Sequence, residues 1–321
     1  MKKVVVFGGG TGLSCLLSGL KLFPLDVTTV IAVSDNGSST GVLKKELDIP
    51  AVGDVGKVLI SMANVDEDFT RLLRYRFSRD GSLHNHPVRN ILLAALIDLK
   101  GSLTEATRYM CTLLNVKGTV LPLTEEKVEL VGESTDHSQC YYGQVSVSHN
   151  VRRIRRLDYD HAVRVIPEVL AKIRDCDLIV FSPGSLYTSI LPHLLAPEVV
   201  EAIAGSGAPI LYICNLVTQP GETDGYRVSD HLQVLNQYLA GRHVDVVVAN
   251  DGPIGEEVRS VYHSTEEKTV VTLDREKVES LGARIIADDI VSLEDGKLRH
   301  DALRTAFLVF SFLMEKKNTE H

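Results

Sequence analysis

A buried strand that runs directly into a glycine-rich turn constrains this chain more than any other feature of its sequence. Val4 to Phe7 form an unbroken apolar run, and four of the seven residues from Gly8 to Ser14 are glycine. Glycine permits positive φ angles and a close approach of the backbone to an anion, and the first N–H groups of the following helix present the positive end of its dipole. The pattern predicts a phosphate site at Gly9, Gly10, Thr11, Gly12, Leu13 and Ser14, where Thr11 and Ser14 add hydroxyl donors.

The spacing of this turn matches neither standard nucleotide-binding fingerprint. Counting from Gly8 and Gly10, the third glycine of G-x-G-x-x-G would stand at Leu13, and the turn has no P-loop lysine. A second segment, Gly53 to Lys57, fails as a P-loop because valine follows the lysine, although Lys57 could still meet a phosphate. A tight strand-to-helix turn without a ligand therefore stays an alternative.

Composition narrows the class of protein. The 321 residues are 44% hydrophobic and 24% charged, as in a folded globular protein with a large core. A formal net charge of −8 argues against a nucleic-acid partner, because phosphate binding without sequence specificity needs a basic face. The run from Arg152 to Arg156 is the exception, and we interpret it as a solvated strand edge.

The cysteines and the amino terminus predict the compartment. Five cysteines lie far apart and never form a C-x-x-C pair, which favours free thiols in a reducing environment. Lys2 and Lys3 precede a strand rather than an apolar leader, and no apolar run approaches the roughly 18 residues of a membrane-spanning helix. We expect a cytoplasmic protein without a membrane span, with a frayed end at Lys316 to His321.

Apolar runs alternate with helical patterns along the chain. Continuous apolar strands are typical of a parallel sheet covered on both faces, which predicts a three-layer, Rossmann-like α/β fold in a single domain spanning 1–321. We expect a helical insertion at 64–115, with Thr104 as a helix N-cap, and a β-rich elaboration at 119–157, where Gln144 to Ser148 alternate as in antiparallel strands. The predicted buried strands are 3–7, 27–33, 178–181, 210–214 and 244–249.

Polar segments follow three of these strands, where ligands bind in such folds. Asp35 stands 25 residues beyond Gly10, close to where a carboxylate would accept ribose hydroxyls. Ser38 and Ser39 offer phosphate donors, although an Asn-Gly turn followed by helix capping explains them equally well. The segments after the two later strands contribute further candidate ligand contacts, namely Gly184, Ser185, Asn215, Thr218, Gln219, Glu222, Thr223 and Asp224. Their amide, hydroxyl and carboxylate groups suit a sugar or a base edge.

Together these segments resemble the bacterial gluconeogenesis factor family, which is related to 2-phospho-L-lactate transferase. The resemblance covers nearly the whole chain and is most specific at Pro183 to Pro192 and Asn215 to Tyr226. The further matching motifs are GGGTGLS (8–14), VSDNG (33–37), Gly53 with Asp54, His86 with Asn90, and VLPLTEE (120–126).

The resemblance implies a regulator that links gluconeogenic growth to cell-wall synthesis and cell shape. It implies a nucleotide-sugar ligand such as UDP-N-acetylglucosamine, contacts at Asn36, Asn90 and Arg299, regulatory or cell-wall synthesis proteins as partners, and no established reaction. A homo-oligomer is expected, of an order that the sequence does not determine. We expect no catalytic residue, no metal site and no required cofactor.

Two alternatives stay open. The first is a phospholactyl-type transferase, in which Asp35 and Asp54 hold Mg²⁺; the transferases carry adjacent aspartates after the second strand, whereas Asn36 follows Asp35 here. A single carboxylate is a poorer anchor for Mg²⁺, which favours binding over catalysis. The second is a dinucleotide such as NAD, because the turn and the acid spacing also accept it.

The chain departs from the family pattern at several charged positions. Val42, Lys44 and Gly56 occupy usual arginine positions, and Arg89 stands where the family has glycine. Arginine and lysine hold phosphate differently, so the diphosphate contacts are expected to differ. Near the end of the chain, Asp301 after Arg299 is expected to cap the last helix.

Overall fold

The computed structural model of the chain describes residues 1–151, 154–294 and 296–315. Its strands in chain order are β1 (Lys2–Gly8), β2 (Leu25–Ile31), β3 (Thr119–Pro122), β4 (Leu130–Ser134), β5 (Cys140–Tyr142), β6 (Ile154–Tyr159), β7 (Leu178–Phe181), β8 (Ile210–Ile213), β9 (Val246–Asn250), β10 (Arg284–Asp288), β11 (Val291–Glu294) and β12 (Lys297–His300). Its α-helices are α1 (Gly10–Leu20), α2 (Ser38–Glu46), α3 (Gly53–Met62), α4 (Glu67–Arg74), α5 (Val88–Lys100), α6 (Leu103–Leu113), α7 (Gln144–Asn150), α8 (Pro167–Arg174), α9 (Pro197–Ser206), α10 (Val228–Tyr238), α11 (Glu256–Glu266), α12 (Arg275–Ser280) and α13 (Ala302–Glu315).

A parallel sheet of seven strands forms the centre, in the order β10-β9-β8-β7-β1-β2-β3. Its strands are continuous apolar runs because both sheet faces are covered by helices. Phe7 of β1, for example, is fully buried and stacks on Phe181 of β7 with ring centroids 5.4 Å apart. The predicted α/β architecture is confirmed.

The strand order reverses between β1 and β7. From β1 the chain proceeds to β2 and β3 on one side, and from β7 it proceeds to β8, β9 and β10 on the other. The loops that leave the carboxyl ends of β1 and β7 therefore diverge and open a crevice, which is the usual ligand position in an open α/β sheet. The glycine-rich turn after β1 lies at this crevice.

The two departures from the strand-helix alternation are partly as expected. The segment 64–115 contains the helices α4, α5 and α6, but Ser102 rather than Thr104 is the N-cap of α6, since its hydroxyl accepts from the Glu105 N–H at 3.2 Å. Within 119–157, β4, β5 and β6 form a small antiparallel sheet, as predicted.

Two predictions within 119–157 are wrong. Strand β3 joins the main sheet as the parallel neighbour of β2. The stretch Gln144 to Ser148 belongs to helix α7, not to a strand. Gly143, at φ +81°, turns the chain into this helix, and only Val147 of its two valines is buried; two apolar residues at a spacing of two are too few to distinguish a strand from one turn of helix.

Surface features agree with the sequence where they are described. Arg155 and Arg156 are exposed on β6, and Arg156 pairs with Asp158 at 2.5 Å; Arg152, Arg153 and the tail 316–321 lie outside the described residues. The five cysteines are free thiols, of which Cys214 is buried and Cys15 partly so. Among the described residues, no helix has both the length and the apolar character needed to cross a membrane.

Candidate ligand-binding site

The glycine-rich turn is packed against the loop that follows β7. A Cβ on Gly12 would lie 2.4 Å from the Pro183 carbonyl oxygen, so only glycine allows α1 to approach this loop. Gly10 starts α1 at φ +68°, a left-handed conformation that favours glycine, and its Cβ position faces open space. Glycine is therefore required at position 12 by the close approach of the Pro183 carbonyl, and it is favoured at position 10 by the positive φ angle.

A carboxylate already occupies part of this turn. Asp54, in the first turn of α3, accepts a hydrogen bond from the Gly10 N–H at 3.1 Å and pairs with Lys57 at 2.8 Å. Lys57 is thus committed to Asp54 rather than free for a phosphate. An anion at the turn would use the neighbouring N–H groups of α1.

The first of two adjoining cavities, which we call the glycine pocket, has a volume of about 430 Å³. It brings together the loops after β1, β7 and β8 and the strand β12. Lys268 and Arg299 lie on its wall, and no carboxylate of the described residues lines it. Its walls are formed by Gly9, Gly10, Thr11, Gly12, Cys15, Pro183, Gly184, Ser185, Ser189, Asn215, Leu216, Val217, Thr218, Gln219, Lys268, Leu298, Arg299 and His300.

Asn215 holds the pocket in shape. Its side-chain oxygen accepts from the Gly184 N–H at 2.8 Å, and its amide donates to the Gly184 carbonyl at 2.7 Å. This two-way contact joins the loops after β7 and β8. The amide that was expected to read a base or sugar is therefore already satisfied within the protein.

The rest of the predicted loop is also largely internally bonded. Glu222 is buried and accepts hydrogen bonds from Ser148 at 2.6 Å and from Gln219 at 2.9 Å, and it contacts Ser185 as well. Burial raises the pKa of the Glu222 carboxyl, although these donors favour its charged form. The carboxylate thus joins α7 to the loops after β7 and β8 instead of facing a ligand.

Three other residues of this loop have structural contacts as well. Thr223 is fully buried and its hydroxyl accepts from the Gln219 N–H at 2.9 Å. Asp224 accepts from the Gly221 N–H at 2.8 Å. Thr218 bonds to Thr269. Gln219 donates to Glu222, but it lines both cavities, so it is the residue of this loop that a ligand in either cavity would contact.

The second cavity, which we call the arginine pocket, has a volume of about 370 Å³. It lies between the segment after β2, the start of α5 and helix α7. Asp35 and Lys57 line it together with Arg76, Arg89 and Asn90. The remaining lining residues are Gly37, Ser38, Ser39, Thr40, Gly53, Gln144, Val145, Ser148, His149, Thr188 and Gln219.

Asp35 is the acidic group of the arginine pocket. One of its oxygens accepts from the Gly37 N–H at 2.9 Å. Burial, and after it the negative charge of Asp54, raise the pKa of Asp35. The pocket thus holds a partly desolvated carboxylate that can accept hydroxyl hydrogen bonds.

Ser39 and Asn90 form a buried polar network at the pocket wall. The Ser39 hydroxyl lies 2.9 Å from Nδ1 of His86 and 3.2 Å from the Asn90 amide nitrogen that donates to it. The His86 ring is therefore a structural partner of Ser39. Within the described residues, no group of three or more His, Cys, Asp or Glu side chains could hold a metal ion.

Some predicted site residues lie away from both cavities. Leu13 is fully buried in the core, and the Ser14 hydroxyl donates to the Gly10 carbonyl at 3.0 Å, inside α1. Asn36 bonds to Glu129 at 3.2 Å, which ties the turn after β2 to β4. Asp301 caps α13 by accepting from the Arg304 N–H at 2.8 Å, as expected.

Arg89 lines the arginine pocket, although the sequence pattern marked it only as a departure from the family and not as a site residue. Its side chain lies against Gly56: a Cβ on Gly56 would be 3.1 Å from Cδ of Arg89. Gly56 and Arg89, two of the positions at which the sequence is expected to depart from the family pattern, thus lie side by side. This pairing of two departures was the available signal. Lys268, His149 and Arg76, which had no signal, were missed as well.

Comparison with known proteins agrees with the motifs. The family model described as 2-phospho-L-lactate transferase CofD matches residues 4–291. The chain is 41% identical over 306 residues to the gluconeogenesis factor of Halalkalibacterium halodurans, covering 95% of this chain and 94% of that protein. It is 38% identical over 314 residues to the gluconeogenesis factor of Bacillus subtilis, with 98% of each chain covered.

A solved structure extends the agreement to the fold. A crystal structure of a Bacillus halodurans protein matches with a TM-score of 0.92 at 40% identity, covering 96% of this chain and 99% of that one. The residues matched by the family model include the glycine-rich turn and the loops after β2, β7 and β8. The chain therefore belongs to the gluconeogenesis factor family and to the wider family that the 2-phospho-L-lactate transferase CofD model describes.

Proposed function

We propose that this protein is a cytoplasmic regulator that binds a nucleotide-sugar, such as UDP-N-acetylglucosamine, and links gluconeogenic growth to cell-wall synthesis and cell shape. Its partners would be regulatory or cell-wall synthesis proteins. The names of its relatives support the metabolic part of this proposal. The ligand part rests on the site itself.

The main support for a nucleotide-sugar ligand is the positive charge on the wall of the glycine pocket. Lys268, which pairs with Glu266 at 2.6 Å, and Arg299 line the same cavity as the start of α1, and no carboxylate of the described chain lines it. Backbone N–H groups at a helix start, together with two cations, suit a diphosphate. The diphosphate would lie between the glycine-rich turn and Gly184.

The remaining parts of the ligand would extend toward the arginine pocket. Gln219 lines both cavities, so a nucleotide-sugar could pass from one into the other beside it. Asp35 would then accept a sugar or ribose hydroxyl in the second cavity. Both cavities fall in the usual size range of small-molecule sites, about 300–1,000 Å³.

Ligand-dependent thermal unfolding tests the proposal. UDP-N-acetylglucosamine, GDP and NAD are added in parallel, each up to saturation, and the melting temperature is recorded. We expect the UDP-sugar to give the largest shift; a ligand at 100 times its dissociation constant adds roughly 2.7 kcal/mol. A larger shift with NAD or GDP would reject the proposed ligand. Mass spectrometry of any small molecule released from the denatured protein provides an independent identification.

A transferase activity is the second candidate, because the CofD family model covers residues 4–291. The structural observation in its favour is the electrostatic interaction of Asp35 with Asp54: burial, and after it the negative charge of Asp54, raise the pKa of Asp35. Two such carboxylates could hold Mg²⁺ beside the diphosphate of a phospholactyl carrier. Group transfer from a guanosine diphosphate carrier that depends on magnesium would favour this candidate.

A further inference from the structure

We infer that the arginine pocket contains a second anion site, at which Arg89 binds a phosphate group. This site is separate from the glycine pocket and does not depend on which base the nucleotide carries. The inference is connected to the proposed function at one point: Gln219 lines both cavities, so a nucleotide-sugar in the glycine pocket could extend to this site.

Arg89 is a buried cation for which the described part of the chain supplies no hydrogen-bond or ion-pair partner. Only 7% of the residue is exposed, its Nε is buried without a hydrogen-bond acceptor, and no described residue forms an ion pair with its guanidinium. A buried charge that lacks a counter-ion is costly, so proteins rarely keep one unless a ligand supplies the opposite charge. The pocket that Arg89 lines is where such a ligand would enter.

Two further arginines, Arg74 and Arg76, lie near Arg89 and add positive charge around it. Burial, and after it the neighbouring Arg76 and Arg74, lower the pKa of Arg89 to about 10. Arg76 lines the same pocket, and its guanidinium donates to the Asn85 carbonyl at 2.7 Å. The negative charge of Asp54 opposes the effect of these arginines on Arg89, but Asp54 is paired with Lys57 at 2.8 Å. Asp35, the carboxylate that lines the pocket, accepts from the Gly37 N–H, and neither carboxylate forms an ion pair with Arg89.

Asn90 adds a second unsatisfied group beside Arg89. It is 2% exposed, its amide nitrogen donates to Ser39, and its side-chain oxygen has no partner. An unsatisfied acceptor on a residue that lines the same pocket as an unpaired guanidinium fits a protonated phosphate, whose anionic oxygens would meet Arg89 and whose P–O–H would donate to Asn90. Sulfate, which carries no such proton near neutral pH, would bind less tightly.

Gly56 makes this arrangement possible. The Cβ position of Gly56 is 3.1 Å from Cδ and 3.3 Å from Cγ of Arg89, so a larger residue would displace the arginine stem. Arg89 is therefore supported along its aliphatic part by α3, while no residue within 1–151, 154–294 or 296–315 pairs with its charged end. This is the arrangement of a preorganised anion-binding arginine.

The phosphate could come from two sources. One is a separate phosphorylated molecule; the other is the nucleotide-sugar itself, whose diphosphate would then lie in the arginine pocket instead of against the glycine-rich turn. Titration calorimetry with inorganic phosphate, at constant ionic strength, compares the unmodified protein with Arg89→Met, which keeps the stem and removes the charge. Arg174→Met, at an exposed position of α8 away from both cavities, is the matched charge control. We expect Arg89→Met to weaken phosphate binding at least about tenfold, the range for charged hydrogen bonds, and the control to leave it unchanged.

Repeating the titration with saturating UDP-N-acetylglucosamine distinguishes the sources. Phosphate binding that persists and still requires Arg89 indicates a separate phosphorylated ligand. Loss of phosphate binding, together with weaker UDP-sugar binding in Arg89→Met, indicates that Arg89 holds the nucleotide diphosphate. If the UDP-sugar does not bind at all, the proposed function fails while the phosphate titration still tests Arg89.

Thermal unfolding without ligand separates a binding role from a structural one. We expect Arg89→Met to melt at the same or a higher temperature than the unmodified protein, because it removes an unpaired buried charge. A lower melting temperature combined with unchanged phosphate affinity would show that Arg89 is structural and would overturn the inference. Arg89→Lys, which keeps the charge without the planar fork, should show intermediate affinity and serves if the methionine variant does not fold.

Discussion

The carboxylate of Asp54 and the backbone N–H of Gly10 are joined by a 3.1 Å hydrogen bond, which places an acidic group of α3 against the first turn of α1. The two residues are 44 positions apart in the sequence. A glycine-rich turn that appears open to phosphate in the sequence is thus partly filled by the protein itself. Lys57 offsets the charge of Asp54 at 2.8 Å.

Replacing Asp54 by asparagine should tighten nucleotide binding if the protein is a binder. The amide oxygen can still accept from Gly10, while a negative charge near the incoming diphosphate is removed, a change of about 1 kcal/mol at a partly exposed site. Titration calorimetry with UDP-N-acetylglucosamine measures it. A large loss that appears only with magnesium would instead identify Asp54 as a metal ligand and favour the transferase.

Asp35→Asn should weaken binding modestly and equally with and without magnesium. If Asp35 only accepts ligand hydroxyls, the amide keeps part of this function, and the loss is about 1 to 2 kcal/mol, as for a hydrogen bond to a charged group. Calorimetry of both proteins is run with magnesium and with a chelator. An effect confined to the magnesium samples would contradict the prediction.

Gly12→Ala should destabilise the protein and displace the loop after β7. Its Cβ would lie 2.4 Å from the Pro183 carbonyl, and the strain of such overpacking is about 1–3 kcal/mol. Urea unfolding followed by circular dichroism gives the change in free energy of unfolding. Gly205→Ala in α9 is the control: its Cβ meets no atom within 4 Å, so alanine should stabilise the helix by about 0.5–1 kcal/mol. Equal changes in the free energy of unfolding at the two positions would contradict the conclusion that the close approach to Pro183 requires glycine at position 12.

We expect His300 to make the free energy of unfolding depend on pH in the mildly acidic range. Burial lowers the pKa of His300 to about 4, from the usual 6.5, and its Nε2 lies 3.0 Å from the Cys214 carbonyl. Between these two values the unfolded chain binds a proton that the folded protein does not, so stability is lost as the pH falls from about 6.5 toward 4. The full effect is about 3 kcal/mol, at 1.36 kcal/mol per pKa unit.

Urea unfolding at pH 7.5 and pH 5 measures this dependence. His300→Gln should reduce the difference between the two pH values, whereas His243→Gln, at an exposed position, should leave it unchanged. An undiminished difference in His300→Gln would assign the acid sensitivity to other groups, such as the buried His193, whose pKa burial also lowers.

Local patterns in the sequence determined the sheet and the position of the site. Continuous apolar runs identified β1, β7 and β8, and the prediction for β7, Leu178 to Phe181, has the observed bounds. The glycine-rich turn and the loops after these strands were placed at the crevice because the carboxyl ends of parallel strands share one edge. Each of these signals is contained in a few neighbouring residues.

The tertiary structure alone decided which polar side chains are bonded within the protein and which line the two cavities without such a bond. Asn215 and Glu222 have the polar groups of ligand contacts, but long-range hydrogen bonds to Gly184 and Ser148 use them internally. Arg89 and Gly56 lie 33 positions apart, and their contact depends on how α5 packs against α3. Whether a polar group is satisfied by the protein or left for a ligand depends on packing between distant segments, which no local pattern in the chain specifies.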